Sequence, residues 1–309
     1  MNGGLNVTYA SGQERYAPLR IRDLYDRPVP TISFEYFPPK SADAEEKLLS
    51  ETTPGLKALG PAFISVTYGA GGGTRDNTLR IVDRIRRDHG IDAMPHLTCV
   101  GHTRQDLIAI MGQAQAAGME NVLALRGDPP KGQAEFHAVE GGFRYSVELI
   151  RFIKGLDAPF CVGAACYPEG HVECAHKHDD WDIAAQKVEA GAEFLLSQLF
   201  YDWSDFLDME DYLRNKRGVK VPIIPGILPF LGAEQIKRFT SLCGAKLPQP
   251  IVKKLEQYAG DDESVRRLGV EVCTAICERL MNRVAGFHFY CLNRVQSCAE
   301  VIHNLGLAK

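Results

Sequence analysis

The sequence predicts an α/β protein folded as a single (β/α)8 TIM barrel. Three observations carry that expectation. Apolar β-like runs recur eight times along the 309 residues, and stretches with helical spacing lie between them. Alternation of this kind calls for a parallel sheet, and eight units over a length somewhat above ~250 residues suit a closed barrel. A doubly wound open sheet would carry a G-x-G-x-x-G turn after its first strand. None follows here, and Gly69-Ala70-Gly71-Gly72-Gly73 has the wrong spacing.

In chain order, residues 1–30 read as a leader without an interpretable motif, and residues 31–309 as the barrel. The expected strands are 31–37 (TISFEYF), 63–69 (FISVTYG), 93–100 (AMPHLTCV), 121–127 (NVLALRG), 160–167 (FCVGAACY), 194–201 (FLLSQLFY), 222–228 (PIIPGIL) and 286–292 (GFHFYCL). Their apolar, β-branched and aromatic content fits strands buried on both faces. Apolar residues at i, i+3 and i+4 predict helices at 74–88, 103–117 and 232–243. The segment 248–281 adds helical matter between units seven and eight, and nothing reads as a linker to a second domain.

Composition narrows the function classes. The formal net charge of -4 leaves no broad basic surface for nucleic acid or an anionic membrane. No apolar run approaches the roughly 18 residues that a membrane span needs. The N-terminus lacks the apolar core of a signal peptide, so a cytoplasmic location is expected. Nine cysteines, scattered singly through apolar segments, read as reduced thiols rather than a disulfide framework. His171, Cys174, His176 and His178 crowd one stretch, but their spacing matches neither a C-x-x-C pair nor H-E-x-x-H, so no metal site is expected.

A barrel gathers its chemistry where strands end and βα loops begin. Near those ends stand Glu35, Thr67 and Tyr68, His96 and Thr98, Arg126 and Asp128, Tyr167, Gln198, and the pair Asn293-Arg294. Alternation along a strand puts Ser33 with Glu35, Ser65 with Thr67, and His96 with Thr98 on shared faces. Glu35 lies among Phe34, Tyr36 and Phe37; desolvation there disfavours a charged carboxylate and suits a general acid. Asp128 follows Arg126 and a glycine, surroundings that favour its charged form, so the two carboxylates are expected to do different work. The amide of Gln198 offers a donor and an acceptor, as the edge of a heterocycle such as a pterin requires. Gln235 and Phe239 lie four apart and share a helix face.

Apart from Ser65, Gln235 and Phe239, these residues sit in "SFEYFPPK", "VTYGAGGGTRD", "PHLTCVGHTR", "LRGDPP", "YPEGH", "SQLFYD" and "FHFYCLNR", and "PIIPGILP" lies between the last two. In that order the motifs resemble the catalytic domain of methylenetetrahydrofolate reductases, from about residue 30 to the C-terminus. The resemblance implies an FAD-containing barrel in which NADH or NADPH donates electrons. Its reaction would be the reduction of 5,10-methylenetetrahydrofolate to 5-methyltetrahydrofolate, a source of methyl groups for methionine.

Residue by residue, the resemblance implies that Glu35 is the general acid and that Asp128 stands beside flavin and pterin. It implies FAD contacts for Thr67, Tyr68, Ala70, His96, Arg126, Gly127, Asp128, Tyr145, Tyr167, His171, Asp180 and Lys187. Gln198, Gln235, Phe239 and Arg294 match positions that hold folate or nicotinamide. "CAHKHDDWDIAAQK" diverges from the family pattern, leaving Asp179 or Asp182 as alternatives to Asp180. Homo-oligomers are common among such enzymes, so one is expected here. The chain ends at Lys309, shortly after the last barrel unit, so control by S-adenosylmethionine through a C-terminal domain is expected to be absent. Two other readings fit a barrel with these strand ends: a flavin-free pterin-dependent methyltransferase, and a non-catalytic barrel subunit.

Overall fold

The computed structural model describes residues 7–8, 14–15, 19–68, 75–130, 132–133 and 135–308. Its strands are β1 (Thr31–Tyr36), β2 (Phe63–Val66), β3 (Ala93–Thr98), β4 (Asn121–Leu125), β5 (Cys161–Cys166), β6 (Phe194–Leu199), β7 (Ile223–Ile227) and β8 (Gly286–Tyr290). Every neighbouring pair is parallel, and β8 returns to β1 to close the barrel. Each observed strand falls within the expected run and stops short of its C-terminal end. The chain leaves the ladder there to form the βα loops.

Helices cover the outside: α1 (Ala42–Lys47), α2 (Thr53–Lys57), α3 (Arg75–His89), α4 (Arg104–Ala116), α5 (Ser146–Lys154), α6 (Lys177–Glu189), α7 (Trp203–Asn215), α8 (Ala233–Cys243), α9 (Gln249–Gln257), α10 (Asp262–Leu280) and α11 (Gln296–Asn304). Local chemistry fixes their ends. The Thr103 hydroxyl and the Asp106 carboxylate form a reciprocal capping box at the start of α4. Helix α8 stops at Gly244, whose φ of 76° is left-handed. Helices α9 and α10 account for the extra helical matter expected between units seven and eight. No helix among the described residues is long and apolar enough to cross a membrane.

Strand alternation divides the buried residues into two cores. Outward residues such as Phe34, Tyr36, Ile64 and Val162 pack under the helices. Inward residues Phe63, Met94, Leu123, Cys161, Phe194, Leu196 and Ile224 fill the lower barrel, with Ile21, Leu24 and Tyr25 beneath them. The last three belong to a 3-10 turn, Ile21–Tyr25, which seals the N-terminal end of the barrel. Asn121 secures the approach to that turn, accepting from Ile21 N at 2.8 Å and donating to Leu19 O at 2.9 Å. Glu193 gathers Arg20, Arg22 and Lys154 at the same end. The lower barrel is therefore solid and apolar, and polar inward residues begin only above it.

Candidate active site

Above the apolar plug, β1, β2, β3 and β8 contribute Ser33, Glu35, Ser65, His96, Thr98 and His288, all buried. Glu35 is 7% exposed and points into the barrel. Phe34 and Tyr36, which the sequence places beside it, belong to the opposite face, so they do not line its pocket. Imidazoles do: Glu35 Oε2 lies 3.5 Å from His96 Nε2 and 3.6 Å from His288 Nε2.

His288 is fully enclosed and held on several sides. Its Nδ1 is 2.8 Å from Ser33 Oγ, its Nε2 is 3.4 Å from Ser65 Oγ, and its ring stacks on Phe63. Sequence reasoning passed over this histidine. The available signal was its phase: it shares the inward face of "GFHFYCL" with Tyr290. His96 is pushed down to about 4, chiefly by burial and further by His288, with Glu35 opposing, so it is neutral near pH 7.

Thr98 Oγ1 and Asp180 Oδ2 are buried with no hydrogen-bond partner among the described residues, and His96 Nε2 has only the 3.5 Å approach of Glu35. Buried groups of this kind are seldom left unpaired. Asp180 and Lys187 both lie on α6 and are buried, whereas Asp179 is exposed and Asp182 accepts from Tyr212 Oη. Of the three aspartates left open by the sequence, Asp180 is the one directed inward. Burial raises its carboxyl and lowers the Lys187 ammonium, and each partly offsets the other's shift. Lys187 Nζ donates to Ala165 O at 2.7 Å and sits over the Tyr167 ring.

Tyr167 meets His171 edge to face. Glu173 N donates to His171 Nδ1 at 3.1 Å, which puts the proton of the neutral ring on Nε2. Burial, then the Arg126 charge, lowers the His171 pKa and so favours the neutral ring. Arg126 turns its guanidinium to Glu173 rather than to Asp128: both terminal nitrogens engage the carboxylate, the Nη2 to Oε1 contact being 2.6 Å. Asp128 itself is exposed at the β4 end. Between them Gly127, at φ 85°, passes so close to the end of β3 and the loop after it that a Cβ would stand 3.0 Å from Thr98 Cβ and 2.6 Å from Val100 Cγ2.

Thr67 and Tyr68 follow β2; the Tyr68 hydroxyl lies 2.9 Å from His102 Nε2. Ala70 lies outside the described residues. Tyr145 is half exposed at the start of α5, with Arg144 over its ring. Gln198 is partly buried at an irregularity in the β6 and β7 pairing, its Oε1 accepting from Leu199 N at 2.8 Å. That leaves its amide nitrogen to donate. Gln235 accepts from Leu231 N, and Phe239 packs against the core one turn along α8. Arg294 is exposed. Its neighbour Asn293 ties the β8 loop to the β1 loop, accepting from Phe37 N at 3.0 Å and donating to Phe37 O at 2.8 Å. The suspected metal stretch disperses: His171 faces Tyr167, while His178 packs on Trp181 and Tyr212. Among the described residues no three His, Cys, Asp or Glu side chains converge as a metal site.

Comparison with known proteins shows the family. A family profile described as methylenetetrahydrofolate reductase matches residues 20–306. "Methylenetetrahydrofolate reductase 2" of Schizosaccharomyces pombe is 35% identical over 94% of this chain, which covers 48% of that protein. "Methylenetetrahydrofolate reductase (NADH) 1" of Arabidopsis thaliana is 34% identical over 93% of the chain and half of its own length. The chain thus spans about half the length of these relatives. The Salmonella typhimurium "5,10-methylenetetrahydrofolate reductase" is 34% identical, and there the match covers 89% of this chain and 90% of the relative. Among solved structures, a Clostridium thermocellum protein titled as binding two copies of 5-methyl-5,6,7,8-tetrahydrofolic acid superposes with a TM-score of 0.64 at 15% identity. It covers 93% of this chain and 98% of its own, a likeness of fold.

Proposed function

Because the chain belongs to the methylenetetrahydrofolate reductase family, we propose that it reduces 5,10-methylenetetrahydrofolate to 5-methyltetrahydrofolate with FAD as bound cofactor and NADH or NADPH as donor. The observation that carries this reading is Glu35, a carboxyl group buried at the upper barrel between His96 and His288. Such a group can deliver a proton out of contact with bulk water.

The residues present suit a flavin dinucleotide. Thr98 Oγ1 and Asp180 Oδ2 supply buried polar atoms without a hydrogen-bond partner among the described residues, and His96 Nε2 has only the 3.5 Å approach of Glu35. Thr67, Tyr68, Ala70, His96, Arg126, Gly127, Asp128, Tyr145, Tyr167, His171, Asp180 and Lys187 would hold the cofactor. The flavin, when bound, supplies the hydride chemistry.

The side chains supply placement and a proton. Glu35 protonates the bridging nitrogen of the folate, so that its five-membered ring opens to an iminium ion ready to accept hydride. His288, fixed by Ser33 and Phe63, keeps the Glu35 carboxyl in one place. Gln198, Gln235, Phe239 and Arg294 receive the folate and the nicotinamide in turn at one site, which makes the kinetics ping-pong. Asp128, exposed at the β4 end, sets flavin reactivity and folate affinity.

The test is the visible spectrum of the purified protein under anaerobic conditions, followed through donor and folate additions. Flavin bands that bleach with NADH or NADPH and return with methylenetetrahydrofolate support both half-reactions. A colourless protein that FAD does not reconstitute would overturn the flavin reading and favour a flavin-free pterin enzyme.

A further inference from the structure

Arg126 already holds an anion, and that anion is a side chain of the same protein. Its two terminal nitrogens meet the two carboxylate oxygens of Glu173 as a planar fork, while its Nε donates to Gly127 O at 3.2 Å. The guanidinium also lies over the Phe136 ring, 5.4 Å from its centre. Backbone carbonyl, ring face and carboxylate thus leave Arg126 in one orientation, with its forked edge turned toward Glu173.

Glu173 is differently placed. Its side chain is 48% exposed against 20% for Arg126, and Arg126 is the partner that its carboxylate engages. Its segment follows Gly170, at φ 84°, in the loop between β5 and α6. Moving this side chain into water therefore breaks one partly solvated ion pair and uncovers no core. Pairs of that kind contribute little net stability. Carboxylate and phosphate offer a guanidinium fork the same bidentate geometry.

We propose that Glu173 is a displaceable counter-ion, whose carboxylate occupies the anion position of Arg126 and gives way to a phosphate group of the incoming cofactor. This rests on the flavin reading above and adds a residue that acts on cofactor capture through Arg126. The same negative charge that keeps the guanidinium oriented competes with the phosphate for it. Removing the charge and keeping the shape should then favour the phosphate-bearing ligand.

The experiment compares wild type, Glu173→Gln, Arg126→Gln and the double variant in flavin release on dilution and in re-uptake, read by flavin fluorescence. FAD, FMN and riboflavin serve as probes at low and high salt. Glu173→Gln should bind FAD about three- to fivefold more tightly, the range expected for losing one competing surface ion pair, and should take it up faster. FMN should gain as well, while riboflavin, which has no phosphate, should bind as in wild type. The gain should vanish in the Arg126→Gln background and shrink at high salt.

Unchanged or weaker FAD binding by Glu173→Gln, beside a wild type that binds it, would overturn the counter-ion role and leave the flavin reading intact. An equal gain for riboflavin would do the same, because it would trace to loop mobility and not to charge. A wild type that takes up no FAD under any of these conditions would overturn both.

Discussion

His288 Nε2 stands 3.6 Å from Glu35 Oε2, joining the last strand of the barrel to the first at the level where the apolar plug ends. The pairing register brings this about: His288 is opposite Ser33 and Tyr290 is opposite Glu35. Closure of the barrel thus gives Glu35 an imidazole neighbour that no local stretch of sequence supplies. Ser33 and Phe63 hold that imidazole still.

Glu35→Gln keeps the volume and polarity of the side chain and removes its ability to transfer a proton. The variant is expected to purify yellow and to be reduced by the nicotinamide donor at close to the wild-type rate. Folate turnover should fall by about 10²- to 10⁴-fold, the range for loss of a positioned general acid. Stopped-flow measurement of the two half-reactions checks this separately, and near-normal folate reduction would remove Glu35 from the role.

On the reading in which His288 positions that acid, its loss should look different from loss of the acid itself. In His288→Gln the donor half-reaction should stay within about twofold of wild type, while folate reduction slows by roughly tenfold, as misplacing a positioned group demands, with folate affinity kept. Both half-reactions slowed alike would mark His288 as merely structural.

Below this layer the barrel has no slack. A Cβ on Gly163 would stand 2.3 Å from Phe194 Cζ and 3.0 Å from Leu123 Cδ1, both inside the lower core. Gly163→Ala is expected to cost about 1–3 kcal/mol through overpacking, seen as a lower urea midpoint at unchanged m-value. A midpoint equal to wild type would mean that the Phe194 ring has another place to go.

The barrel was legible because inward and outward phases repeat in every strand: one phase of "FISV" and "FLLSQL" feeds the lower core and the other feeds the helices. Glu35, His96 and Thr98 were legible for the same reason, as polar residues in an inward phase near strand ends. His288 has the same signature but lies in a strand rich in aromatics, where a histidine reads as one more ring. Glu173 could not be found this way, since its meaning depends on reaching Arg126 from another loop. Nor could the sequence choose between Asp179, Asp180 and Asp182, because the choice depends on how α6 is rotated against the barrel. The seal formed by Ile21–Tyr25 escaped notice because a short irregular turn has no periodicity to read.

The loop after β5 also carries a titrating group near neutral pH. Glu169 Oε1 accepts from Lys246 N at 2.8 Å, linking the segment that bears Tyr167 and His171 to the chain just beyond α8. Burial, followed by the charges of Asp205 and Asp202, pushes its carboxyl up to about 7; the Lys246 amide and ammonium oppose that shift. Asp205 is itself raised, by burial and by Asp202, with Lys177 and Lys246 opposing. Between its ordinary value and about 7, folded Glu169 keeps a proton that the unfolded chain has released. Stability should therefore fall as pH rises through this window. Glu169→Gln retains the acceptor for Lys246 N and abolishes the titration. Relative to wild type, the variant should gain on the order of 1–2 kcal/mol between pH 5 and pH 8, a figure reduced for the solvent that reaches this loop. Urea unfolding of both proteins across that range provides the check. Parallel curves would mean that Glu169 is ionised throughout and that the loop is not pH-sensitive.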